Sequence, residues 1–159
     1  MSKELVYIIS QLKDAYKGDP WFGRAAVKLL GEVDEKMAYQ KPAGQHSMVE
    51  LLWHMITWRE FTIDRLQHSP QMGLAYFEEM DWRELDHNDV TLWKQGLERL
   101  QETQDQLLVL LADRDDRLLE QPVRERNYDF RKLLNGVIQH DIYHLGQIAY
   151  FQKMLSRTS

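Results

Sequence analysis

Four stretches of the chain carry apolar residues at steps of three and four, and each is long enough for several helical turns. In the first, Leu5, Ile8, Ile9, Leu12 and Tyr16 recur until Gly18-Asp19-Pro20 interrupts them, which predicts a helix over about 3–17. Trp21 to Val33 is a shorter apolar segment, read as a further helix, and Lys41-Pro42-Ala43-Gly44 is a loop signal. Ser47 followed three residues later by Glu50 has the form of a capping box and opens a long helix over about 48–67, which Ser69-Pro70 closes. The polar segment that follows, to Asn88, carries Tyr76, Phe77 and Trp82; its length suggests a lid or packing flap. Asn88 or Asp89 is the expected cap of a third helix whose stripe runs Leu92, Trp93, Gly96, Leu100, Thr103, Leu107 and Leu110, to about 112. After Pro122 in the next connection, a fourth helix is expected over about 130–155. Strand alternation is scarce. The expected fold is therefore all-α, an up-and-down four-helix bundle formed as one domain over 1–159, with chemistry placed among facing side chains in its interior.

The composition excludes several functions. With no cysteine, the chain has no disulfide, thiolate ligand or cysteine nucleophile, so any metal must be held by histidine, carboxylate or solvent. A formal net charge of -5 argues against nucleic acid or an anionic membrane surface as a partner. The apolar run within MSKELVYIIS is too short for a signal peptide, and no stretch approaches the ~18 residues of a membrane span, so the expected location is the cytoplasm.

Three histidines occupy positions where the helical pattern calls for apolar side chains. The fourth stripe reads Leu133, Val137, His140, His144, Ile148, Phe151, Leu155, and the second reads Leu51, His54, Trp58, Phe61. A lone inward histidine is more often a core residue whose ring nitrogens find hydrogen-bond partners. Three admit a second reading, because residues four apart on a helix are neighbours and a third ring from a facing helix can converge on the same point. His46, before the second long helix, His68, at its end, and His87, in the polar segment, read as solvent-facing or as local caps. HDIYH also has the spacing of the zinc-protease H-E-x-x-H helix, but Asp141 is one methylene shorter than the glutamate that motif needs.

Two segments, HSMVELLWHMITWR at 46–59 and HDIYHLGQIAYFQ at 140–152, resemble the DinB-like, or YfiT-like, family of metal-dependent enzymes, in the same order and on the same helices. The resemblance extends along nearly the whole chain. It implies a four-helix bundle whose three histidines bind a divalent metal such as zinc or nickel, and carried over by position the ligands are His54, His140 and His144. It further implies a homodimer and a small-molecule substrate. It is not a resemblance to the translesion polymerase that shares the name.

Three neutral histidines would leave a divalent ion with an open position, as catalytic sites require. Related branches include S-transferases and isomerases that use bacillithiol, mycothiol or glutathione, and members named as hydrolases. By that analogy the first expectation is a thiol-dependent S-transferase using a low-molecular-weight thiol cosubstrate. The alternatives are a hydrolase using metal-activated water and a non-enzymatic dimeric metal-binding module. Around the histidines, Glu50 is a candidate base but is expected to serve the capping box, and Gln147 is a candidate hydrogen-bond partner one turn beyond His144. Tyr143 is a candidate pocket residue, more simply a packed ring. Asp141 is expected in a salt bridge to solvent or a neighbouring helix, Trp53 in the core, and Trp58 as the better candidate for a pocket wall.

Overall fold

Two of the long helices, the first and the central one, begin where side chains replace missing backbone partners. The computed structural model describes residues 3–42 and 44–158; Ala43 of the expected loop and the termini of the expected 1–159 domain lie outside the described residues. The first helix, α1 (Glu4–Lys17), has no cap of its own, but Asp116 accepts from the free amides of Lys3 and Leu5 at 3.1 and 2.8 Å. The central helix α4 (Met48–Leu66) starts on the capping box expected from the sequence. Ser47 Oγ accepts from the Glu50 amide, and the Glu50 carboxylate accepts from the Ser47 amide at 2.7 Å.

Two long helices flank α4: α6 (Leu92–Ala112) and α7 (Phe130–Thr158). Gly96 permits the approach of α6, since a Cβ there would stand 2.7 Å from Leu52 Cδ2. α1 packs against both α6 and α7, so four long helices enclose the interior. Among the described residues no strand forms, and no helix is long and apolar enough to cross a membrane.

Several boundaries differ from the sequence reading. Over 21–33 the helix is only α2 (Ala26–Gly31), because Gly23 takes a φ of +131° and leaves Trp21 and Phe22 exposed; a one-turn α3 (Glu35–Ala38), capped by Asp34, follows. The polar flap contains its own short helix, α5 (Leu74–Glu79), whose Phe77 packs edge-on to Phe61 at 5.3 Å. Asp89 does not cap α6: its carboxylate turns back on the Thr91 amide at 2.9 Å, and the helix starts at Leu92. Leu111 rather than Leu110 is the buried residue at the end of that stripe. A 3-10 turn (Asp116–Glu120) and a short reversal lead to α7, where Asp129 accepts from the Lys132 amide at 2.9 Å.

The interior is divided. One apolar cluster gathers Leu5, Phe61, Leu107 and Leu134; the other gathers Leu30, Leu52, Trp93 and Ile148. Between them lies a polar layer with His54, Thr57 and Arg59 on α4, Thr103 and Gln104 on α6, and His140, Asp141 and His144 on α7. Buried polar groups are tolerated mainly with partners, and this layer supplies most of them. Arg59 Nε and Nη2 lie 2.8 and 2.7 Å from Asp141 Oδ2, and Arg59 Nη1 donates to Gln104 at 3.0 Å. The expected salt bridge of Asp141 is thus made to the neighbouring helix, and it ties together the two helices that carry the three histidines.

Candidate metal centre

The helical register of α7 sets His140 and His144 one turn apart, and α4 presents His54 across from them. His140 Nε2 lies 2.9 Å from His54 Nε2 and 3.1 Å from His144 Nε2, and the ligand atoms of the three all fall within 4.8 Å of one another. The structure therefore brings together the three histidines singled out in the sequence.

Their outer nitrogens determine what the inner ones can do. His54 Nδ1 is 3.0 Å from the Asp81 backbone carbonyl, an acceptor only, so the proton of the neutral ring sits on Nδ1 and Nε2 is a bare lone pair. His144 Nδ1 is 2.6 Å from Gln147 Oε1, which imposes the same tautomer. Two bare nitrogens thus point at a third, an arrangement that a proton on His140 Nε2 can satisfy on only one side. His140 Nδ1 is buried with no hydrogen-bond partner.

Protonation does not relieve this crowding at neutral pH. Burial, then the neighbouring His144 and His54 and the Arg59 cation, push His140 down to about 3. Burial likewise lowers His54, although Asp81 opposes it, and lowers His144, although its bond to Gln147 opposes it. Asp141 moves the other way: burial raises its carboxyl, with Arg59 pulling against the shift. Three neutral imidazoles with converging lone pairs fit the donor set of a divalent transition metal.

The flap after α5 closes over His54. Trp82 is stacked between His46 at 3.7 Å and His54 at 3.9 Å, nearly parallel to both. Asp81 Oδ1 accepts from Trp58 Nε1 at 2.6 Å and lies 2.9 Å from His54 Nδ1. Thr57 anchors the same segment by donating to the Met80 carbonyl at 3.1 Å and accepting from Arg83 at 2.7 Å.

The remaining candidates fall in different surroundings. Glu50 faces the start of α4, where burial raises its carboxyl but the Lys41 bond at 2.8 Å and the Ser47 bonds bring it below its ordinary value; it is occupied away from the three rings. Gln147 is the partner of His144. Tyr143 is exposed rather than packed, its ring 5.0 Å from His144. His46 keeps a partly exposed side chain, as expected, and also forms one side of the Trp82 stack. His87 packs at the start of α4, with Nδ1 against the Leu85 carbonyl and Nε2 3.4 Å from Ser47 Oγ, and His68 is exposed. Trp53 is half-buried and donates to the Leu92 carbonyl, while Trp58 lines a cavity beside His140. Asp81 and Arg59 were not singled out in the sequence. Trp82 was noticed only as an aromatic in a polar segment, which is the signal that could have marked it.

Two cavities adjoin the cluster, one at His140 and one at His144. One of about 280 Å³ has Trp58, Phe61, Val137 and His140 among its walls. The other, of about 230 Å³, is bounded by His46, Trp82, Tyr143, His144 and Gln147.

Fold and site together define a helical protein with a three-histidine candidate metal centre, two of whose rings each line a cavity. The family model described as the DinB superfamily matches residues 23–148, a span that includes His54, His140 and His144, and the chain belongs to that superfamily. Neither the curated proteins nor the solved structures gave a match.

Proposed function

We propose that the chain is a metal-dependent S-transferase in which His54, His140 and His144 hold one divalent ion, zinc or nickel, and a low-molecular-weight thiol attacks a small electrophilic substrate. The observation that carries the metal reading is the locked tautomers: the Asp81 carbonyl and Gln147 Oε1 hold the protons outward, so the inner nitrogens have only lone pairs to offer. When bound, such an ion holds a thiol as its thiolate at neutral pH.

The chain's own residues then have defined tasks. Asp81 and Gln147 fix ring orientation, and Trp82 shields His54 from solvent. Arg59 and Asp141 hold α4 and α7 in register beneath the rings. The preference for transfer over hydrolysis rests on the two cavities, which offer room for two reactants. It is supported by the engagement of nearby carboxylates elsewhere: Glu50 serves the capping box and Asp81 serves His54 and Trp58. The proposal further assigns the protein to the cytoplasm, where such thiols stay reduced, as a homodimer, which light scattering on the eluting species checks.

Elemental analysis of protein purified without a polyhistidine tag tests the metal. One equivalent is expected in the wild type and none in His54→Ala plus His140→Ala; metal that survives the double substitution sinks the ligand assignment. Metal-loaded protein is then assayed with a chromogenic electrophile and bacillithiol, mycothiol or glutathione, beside ester and amide substrates. Turnover that needs no thiol would replace the transferase with the hydrolase.

A further inference from the structure

The cavity beside His140 has a composition at odds with the rest of the chain. The protein carries a formal net charge of -5, yet no acidic side chain lines this cavity. Its walls are the rings of Trp58, Phe61 and Tyr128 with the aliphatic Leu133 and Val137, and the one charged residue among them is Lys132. The Lys132 ammonium stands 5.4 Å from the Tyr128 ring, and Lys132 has no ion-pair partner among the described residues. A second cation, itself outside the cavity lining, packs on two of the wall rings: the Arg126 guanidinium is 5.6 Å from the Trp58 ring and 5.4 Å from the Phe61 ring, and its buried Nε has no hydrogen-bond partner.

One backbone position points the same way. Gly136 lies inside α7 and on the cavity wall, where a Cβ would meet nothing within 4 Å. Glycine is among the least favoured helix residues, and no close neighbour demands it here. A larger side chain at this lining position has room to extend into the cavity.

We propose that this cavity binds a small organic acid, its apolar body between Trp58, Phe61 and Tyr128 and its carboxylate at Lys132 and Arg126. A dry cavity of ~150 Å³ accepts benzene, so about 280 Å³ suits a body of about a dozen non-hydrogen atoms. A lining lysine, with an unpaired guanidinium packed on two of the wall rings, lets an acid-free pocket select an anion over its neutral analogue, because only the anion completes charge-assisted bonds there. The reactive role of that acid, as the electrophile presented at the His140 edge, rests on the metal reading given above; the binding itself does not.

Titration of zinc-loaded protein with 3-phenylpropanoate, 3-phenylpropanamide and acetate, followed by calorimetry with zinc content measured on the same samples, tests this. The acid is expected to bind about tenfold or more tighter than either the amide or acetate. Gly136→Leu should fill the cavity and weaken the acid about tenfold or more, and Arg126→Gln plus Lys132→Gln should reduce it to the affinity of the amide, both with zinc content unchanged. Equal affinity for acid and amide, or undiminished acid binding in both variants, overturns the proposal while leaving the metal reading intact. Wild-type protein without zinc strikes the metal reading alone, since the same titration on that protein still decides whether the cavity takes the acid.

Discussion

Removing the carboxylate of Asp141 isolates the contact that holds the two histidine-bearing helices together. The side chains of Arg59 and Asp141 are 3% and 4% exposed, so Asp141→Ala leaves a guanidinium between two apolar clusters with Gln104 as its remaining hydrogen-bond partner. Stranding one member of a buried pair costs about 3–5 kcal/mol. For a chain of this length each kcal/mol moves the melting temperature by roughly 2–4 °C, so the expected drop is about 6–20 °C. The pair itself is not optimal, since Asp141 Oδ1 is buried without a partner. Replacing both members by apolar residues, Arg59→Met with Asp141→Leu, should therefore bring stability back to within about 1 kcal/mol of the wild type or above it. Urea unfolding of the wild type, Arg59→Met, Asp141→Leu and their double gives the coupling directly, with Asp141→Ala measured beside them. A loss below about 1 kcal/mol in Asp141→Ala, or a double variant as unstable as the sum of the singles, would refute the claim that a desolvated pair joins α4 to α7.

Three further outcomes follow from the same geometry. Gln147→Leu removes the acceptor that orients His144 and should weaken zinc binding by about 10–100-fold in competition with a chromophoric chelator; unchanged affinity contradicts the tautomer argument. Trp82→Ala deletes two parallel stacks and should cost about 1–3 kcal/mol in urea unfolding, with a loss no larger than that of an exposed surface tryptophan counting against a closed flap. In protein stripped with chelator, His140 has a folded value of about 3 against about 6.5 unfolded, so the unfolded state binds more protons and stability is lost as pH falls below 6.5. At pH 5 that residue alone contributes a loss of at most about 2 kcal/mol, and an unfolding midpoint equal at pH 7.5 and pH 5 refutes it.

What could be read from the sequence and what could not divide along the range of the interactions involved. Helix periodicity and the Ser47–Glu50 box are set by neighbours within four residues, so α1, α4 and α7 lie within three residues of their expected ends and the three histidines share one interior. The failures are of two physical kinds. Over 21–33 the apolar content reads as helical packing, but Gly23 at positive φ turns the backbone and leaves Trp21 in solvent; composition alone does not carry that conformation. Asp81 and Trp82 sit in an aperiodic segment and meet His54 across 27 and 28 positions, where no repeat ties a residue to its partner.

The same distinction separates the three histidines from the groups that orient them. A histidine on an apolar stripe is visible because it violates a local rule, whereas a backbone carbonyl that fixes its tautomer has no residue identity to read. The polar layer at the middle of the bundle joins these two levels. Its charges and hydrogen bonds interrupt an apolar interior, and such an interruption is tolerated only where the groups satisfy one another. Arg59, Gln104 and Asp141 largely do so, while the three imidazoles converge with lone pairs in excess of protons. That imbalance, within a layer otherwise held together by matched partners, is what makes the histidine cluster compatible with a bound cation.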